Sequence, residues 1–218
     1  MRAPLSLFLL CLVAGPVRAD PALDAAVALY RAKQYPAAQA ALEKIAGSAP
    51  PNAAACYYLG MTLRHRGDEP ALEAALPWLE KAVSLAPDNG AYAGDYGGTC
   101  LQLADKRRSL SLATRGRNAM EKAIRLDPDN LDARDGLMQF YARAPWPLGS
   151  KSRARALAEE LARRNPALGL REFLRLGRVF EKAGDARDAR DAYAAAARLD
   201  GANPDAAAGL ARLRPAGG

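Results

Sequence analysis

The chain has 218 residues, half of them apolar and a quarter charged, with a net charge of +7. That is the composition of one or two globular domains and not of a disordered segment. It holds 50 alanines and 31 leucines against five valines, two isoleucines and three threonines. β-Sandwiches, barrels and parallel sheets need far more branched residues, so the chain reads as all-α. One histidine, His65, and three cysteines exclude the common zinc sites and any mechanism that needs two histidines.

Residues 1–19 carry Arg2, an apolar run from Leu5 to Ala14, and Val17-Arg18-Ala19 as a small-x-small cleavage site. This is the pattern of a cleavable signal peptide, with an uncleaved anchor as the alternative. The run is too short for a mature membrane-spanning helix. Cys11 follows Leu10 within it and lacks the small residue that precedes a lipid-modified cysteine. The expected localisation is therefore exported, periplasmic or extracellular. No later segment approaches membrane-spanning length, so no transmembrane span is expected after signal cleavage.

From Asp20 onward the text repeats. Glu43–Asn52 (EKIAGSAPPN), Glu80–Asn89 (EKAVSLAPDN) and Glu121–Asn130 (EKAIRLDPDN) close on similar words, and Ala195–Pro204 (AAARLDGANP) is a further copy. Glu159–Leu168 is weaker. Pro51, Pro87, Pro128 and Pro166 are spaced by 36, 41 and 38 residues, each after a helical pattern and before a new amphipathic one. The unit is helix–turn–helix, about 34 residues long with small insertions.

Inside the units the packing positions recur. One copy has Cys56, Leu59, Gly60, Leu63, Gly67-Asp68, Ala82 and Pro87; another has Leu176, Gly177, Phe180, Gly184-Asp185, Ala189, Tyr193 and Ala196. This resembles the tetratricopeptide repeat (TPR) family, and the resemblance covers essentially the whole chain after residue 19. It implies a right-handed α-solenoid of about five helix–turn–helix repeats over 20–213. Pro204–Leu213 is expected to cap it and Pro215–Gly218 to fray. Departures are also legible. Pro77 is expected to kink or delay the second helix of repeat two. About seven residues are inserted around Asp105–Ala113, expected to lengthen the second helix of repeat three. Ala144–Ser150 (APWPLGS) reads as a rigid loop with an exposed tryptophan. The block Gly136–Ala154 resembles a segment of exported bacterial repeat proteins.

The resemblance also implies a ligand surface on the concave face. There it places Tyr30 and Arg31; Tyr57, Met61, Arg64 and His65; Gly94, Gly98, Leu101 and Gln102; Asp135, Gln139 and Arg143; and Arg171, Leu174, Arg178 and Lys182. Tyrosine and arginine carry much of the energy at binding surfaces. Co-chaperone members of the family hold a peptide carboxylate with Lys and Asn; here those positions are Tyr57, Met61 and Gly94, so that activity does not carry over. His65 reads as a titratable group or an ordinary surface residue, and Ser150 as a helix N-cap or part of an anion site with Lys151 and Arg153. Lys106-Arg107-Arg108 and Arg163-Arg164 read as solvated faces or anion-attracting runs. Arg187–Asp191, alternating in sign, reads as a solvated face.

No nucleophile–base or acid–base pair is identifiable, and nothing implies a cofactor. The expectation is a non-catalytic exported scaffold that binds a protein or peptide segment in the concave groove. A cell-envelope module that binds an anionic glycan or lipid head group through arginines is the alternative, and nucleic acid is not an expected partner. Cys56 and Cys100 fall on neighbouring first helices about 8–10 Å apart with a further offset of about 10 Å along the axis. That exceeds the roughly 7 Å a disulfide can bridge, so two free buried thiols are expected.

Overall fold

The structure is a computed structural model that describes residues 20–214. The expected signal peptide and frayed tail lie outside the described residues. Eleven helices follow one another: α1 Pro21–Arg31, α2 Tyr35–Ala46, α3 Ala53–Arg64, α4 Glu69–Leu85, α5 Gly90–Arg107, α6 Leu110–Leu126, α7 Leu131–Arg143, α8 Lys151–Arg164, α9 Pro166–Lys182, α10 Ala186–Leu199 and α11 Pro204–Arg212. They form five pairs of neighbours, α1/α2 to α9/α10, with α11 as the cap. First helices meet first helices, α1 with α3, α5 with α7 and α7 with α9, which puts them on the inner face of the solenoid.

The recurring asparagines start the first helices. Asn52, Asn89, Asn130, Asn165 and Asn203 each accept a hydrogen bond from a backbone N–H three residues on, at 2.8–3.2 Å. Each satisfies one of the amides that a helix start leaves unpaired. Ser150 caps α8 in the same way, accepting from Arg153 N–H at 3.4 Å. Four of the five turns inside a pair, all but the longer 144–150 turn, use one left-handed residue: Lys33, Gly67, Arg108 and Gly184 have φ of 58°, 68°, 51° and 80°. Glycine is unstrained there; lysine and arginine are not.

Close approach within a pair rests on small residues. A Cβ on Gly60 would come within 2.6 Å of Leu79, and one on Gly97 within 2.9 Å of the Gly116 carbonyl. Gly177 and Gly209 both lie against the Tyr193 ring, which is 1% exposed. Cys56 and Cys100 are free and buried. Burial pushes the Cys56 thiol up and holds that of Cys100 up at about 11, which suits small apolar core residues.

The expected delay of α4 is not found, and the inserted residues act on two helices. Helix α4 runs through Pro77 without a break. Pro77 is exposed, so the carbonyl it leaves unpaired faces water, while buried Leu72, Ala75 and Leu79 hold the helix on both sides. The extra residues of repeat three lengthen both helices, to 18 in α5 and 17 in α6. The added turn is used: Leu103 and Ala104 are buried, and Arg107 pairs with Glu69 and Glu73 of α4. Pro166 opens α9, and Asn165 serves as the end of α8 and the cap of α9.

Candidate functional site

The inner face has three parts. At the N-terminal end, α1, α3 and α5 are bridged by rings. Tyr57 stacks on Tyr92 with centroids 4.3 Å apart, and Tyr30 meets Tyr58 at 5.4 Å and Tyr35 edge-on at 6.1 Å. His65 stacks on Tyr35 at 4.0 Å, and its Nδ1–H donates to the Thr62 carbonyl at 2.7 Å. The Tyr57 hydroxyl donates to Asp95 at 2.7 Å, and Arg64 pairs with the same carboxylate at 3.4 Å. Burial and the Asp95 charge push the Tyr57 hydroxyl well above the usual tyrosine range, so it stays a donor. Met61 lies beside Arg64, 3.7 Å from its guanidinium.

In the middle, α5, α6 and α7 enclose a cleft of about 580 Å³ that the 144–150 loop borders. Gln102, Gln139 and Arg143 all line it, with Gly98, Leu101, Met120 and Phe140. The volume lies within the range of ligand sites.

At the C-terminal end the face is ionic. Asp135 accepts from Gln139 at 3.0 Å and pairs with Arg175 at 3.2 Å and Arg171 at 4.0 Å. Glu172, fully buried, pairs with Arg171 at 2.6 Å and Arg175 at 2.8 Å. Burial pushes the Glu172 carboxyl up, against the hydrogen bond from Arg171, and Asp135 beside it acts with burial. Arg178 reaches Asp205 of α11 at 3.5 Å. Arg212 of α11 grips Glu181 at 2.8 Å, and with the Tyr193 hydroxyl it holds that carboxyl down at about 2.

The residues assigned to the groove therefore divide. Tyr30, Tyr57, Met61, Arg64 and His65 come together, as do Gln102, Gln139 and Arg143. Asp135 belongs to the ion network, Arg178 lies near the cap, and Arg31 is exposed at the end of α1. The arginines are not one recurring set: Arg64 is engaged by Asp95, whereas Arg143 carries no ion pair among the described residues. Leu174 is in the core. Arg187–Asp191 is more than a solvated face, because Asp188 pairs with Lys151 and Arg155 of α8 and Asp191 with Arg155. Of the basic runs, Arg107 and Arg164 are paired, the latter with Asp129. Sequence reasoning missed Tyr35, Tyr58, Tyr92, Asp95 and Glu172; an acidic residue on the α5 stripe opposite Tyr57 and Arg64 was the signal for Asp95.

No family model matches the sequence, and no curated protein matches it. Solved structures do. TTC0263, a thermophilic TPR protein of Thermus thermophilus, aligns over 88% of this chain and 97% of its own at 19% identity, with a TM-score of 0.57. YrrB, described as a TPR protein with an unusual peptide-binding site, aligns over 88% and 91% at 17% identity and a TM-score of 0.67. MamA aligns over 85% and 97% at 19% identity and a TM-score of 0.64. Recurring packing positions, paired helices and these neighbours converge: in fold, the chain is a tetratricopeptide-repeat solenoid.

Proposed function

We propose that the protein is a non-catalytic, exported scaffold that binds a peptide or protein segment along the inner face of the solenoid. The observation that carries this reading is the tyrosine shelf of α1, α3 and α5 leading toward a cleft flanked by the Gln102 and Gln139 amides. Half-buried rings offer large contact area with little side-chain entropy to lose, and amides suit a peptide backbone. YrrB, with the same fold, is described by its peptide-binding site. The signal-like text of residues 1–19 supports export; N-terminal sequencing of the secreted protein should begin at Asp20, and an intact Met1 on cytoplasmic protein would remove the compartment from the reading.

A random-peptide display library selected on the purified protein tests binding. Enriched sequences are expected, with affinity lost in the Tyr57→Ala/Arg143→Ala double variant and the helical circular-dichroism signal unchanged. An unenriched library overturns the reading. Binding that instead collapses when salt is raised from about 0.05 to 0.5 M, with anionic polysaccharide or vesicles as ligand, would favour the envelope-polymer alternative.

A further inference from the structure

The central cleft combines unpaired cations with an apolar floor. Arg108 and Arg143 line it, both are exposed, and neither has an ion pair among the described residues. Elsewhere on this face Arg64, Arg171 and Arg175 are engaged by Asp95, Asp135 and Glu172. Asp105 is the one carboxylate lining the cleft, so the lining stays net positive. Arg108 is also held in the left-handed region, φ 51° and ψ 39°, at a turn where repeats two and five use Gly67 and Gly184.

The floor is apolar and adaptable. Gly98 and Gly136 let the Met120 thioether close against the helix backbones: its terminal methyl would lie 3.4 Å and 2.5 Å from a Cβ at those positions. Methionine reshapes around what it contacts. Leu101 and Phe140 flank it. The mouth is sticky as well: Leu110 is 65% exposed and lines the cleft, and Trp146, on the bordering loop, is 90% exposed. Exposed large apolar side chains beside a cleft mark an interaction surface.

We propose that this cleft takes one bulky apolar side chain of a bound segment together with an acidic group adjacent in that segment. The apolar side chain rests on the Met120 floor, and the acid lies between Arg108 and Arg143. This rests on the inner-face reading and adds to it the chemistry of the ligand. Two free guanidiniums select an acid by charge and by forked hydrogen bonding. Gln102, and the side-chain carbonyl of Gln139 whose N–H donates to Asp135, remain for the peptide backbone.

The probe is a fluorescein-labelled, amidated heptapeptide, Gly-Ser-Asp-Phe-Asp-Ser-Gly, with affinity read by anisotropy. It should bind, and versions with Lys for both Asp, or Ala for Phe, should bind weaker by about tenfold or more, the scale of one charge-assisted contact. Gly98→Leu should block the cleft by a similar factor; its Cβ meets only the flexible end of Met120, so the helix accepts it. Arg108→Gly removes the cation while relieving the strained turn, and should weaken the probe without lowering the melting temperature. No binding of the probe, or equal binding by all variants, overturns the proposal. Library-selected peptides that depend on Tyr57 but ignore Gly98→Leu would overturn the cleft assignment and leave the inner-face reading standing. A library with no enrichment removes both.

Discussion

Helices α1, α3 and α5 are joined across the inner face by aromatic rings, whereas α7, α9 and α11 are joined by ion pairs. The aromatic end depends on contact area and on hydrogen bonds whose donor, such as the Tyr57 hydroxyl, holds its proton. The ionic end depends on charges, some of them well solvated: Arg171 is 58% exposed although its partner Glu172 is fully buried. Rings respond weakly to salt and pH; solvated ion pairs respond to both. The two ends of one solenoid should therefore fail under different conditions, as a chain of nearest-neighbour interfaces allows.

Each experiment that follows breaks or sharpens that contrast. The largest effect is expected at Tyr193, which fills the space between Gly177 and Gly209 and donates to Glu181 at 2.8 Å. Tyr193→Ala should cost about 4 kcal/mol, the usual scale for deleting a buried aromatic ring. Urea unfolding followed by circular dichroism would show it, and hydrogen exchange should place the loss in α9–α11. Equal loss of protection in α1–α3 would mean that the two ends unfold as one unit.

Next comes Glu172. Taking a cation away from a buried carboxylate costs about 3 kcal/mol, so Arg175→Ala, which leaves Glu172 buried with Arg171 alone, should destabilise α7 and α9 by that order. The same measurement checks it. A change below about 1 kcal/mol would show that water screens the pair despite the buried carboxylate.

Acid should act on the cap before the aromatic end. Glu181 is held at about 2, below its ordinary value of 4.5. Its contribution is complete above pH 4.5 and is lost as pH falls toward 2. Glu172 has the opposite sign: burial raises it, so its ionisation costs stability as pH rises through the raised value. Hydrogen exchange at about pH 3 against about pH 6 should show α11 losing protection while α1 keeps it. Unchanged α11 would mean that its apolar docking, through Ala206 and Gly209, suffices without the Arg212–Glu181 pair.

Smaller effects are expected at the aromatic end. Tyr57→Phe keeps the ring and deletes one hydrogen bond, which costs about 1 kcal/mol. A loss of about 3 kcal/mol or more, well beyond one hydrogen bond, would show that Asp95 cannot hold Arg64 without it. The smallest is a gain: Lys33→Gly relieves a left-handed lysine and should stabilise by about 0.5 kcal/mol, the relief offset in part by glycine's entropy. Thermal melting read on the Tyr35–His65 end checks it; no gain would mean that the lysine makes contacts that offset its strain.

The pairing of helices was legible because it depends on local rules. Pro51, Pro87, Pro128 and Pro166 announce helix boundaries, Gly67 and Gly184 announce turns, and Gly60 and Gly177 mark where two helices touch. Pro77 suggested a delayed helix that does not occur, because its exposed position with buried neighbours on both sides lets α4 continue. The inserted residues near Asp105 misled for a similar reason: the sequence shows added length, and only packing shows that α5 and α6 share it. Within the inner face, residue types on each first helix were readable one helix at a time. Which arginine is engaged and which is free was not, because Asp95 lies 31 residues from Arg64 and Asp135 lies 40 from Arg175.

By itself the sequence determined an all-α repeat chain, its helix starts, its crossing points and its two unpaired buried cysteines, since composition, capping and a periodicity of about 34 residues act over a few turns of chain. Tertiary structure alone decided that the inner face is aromatic at one end and ionic at the other, with an open cleft between. That division follows from which side chains meet across neighbouring repeats. Carboxylates on one helix neutralise arginines on the next at both ends, and at the cleft between them Arg108 and Arg143 carry no ion pair among the described residues.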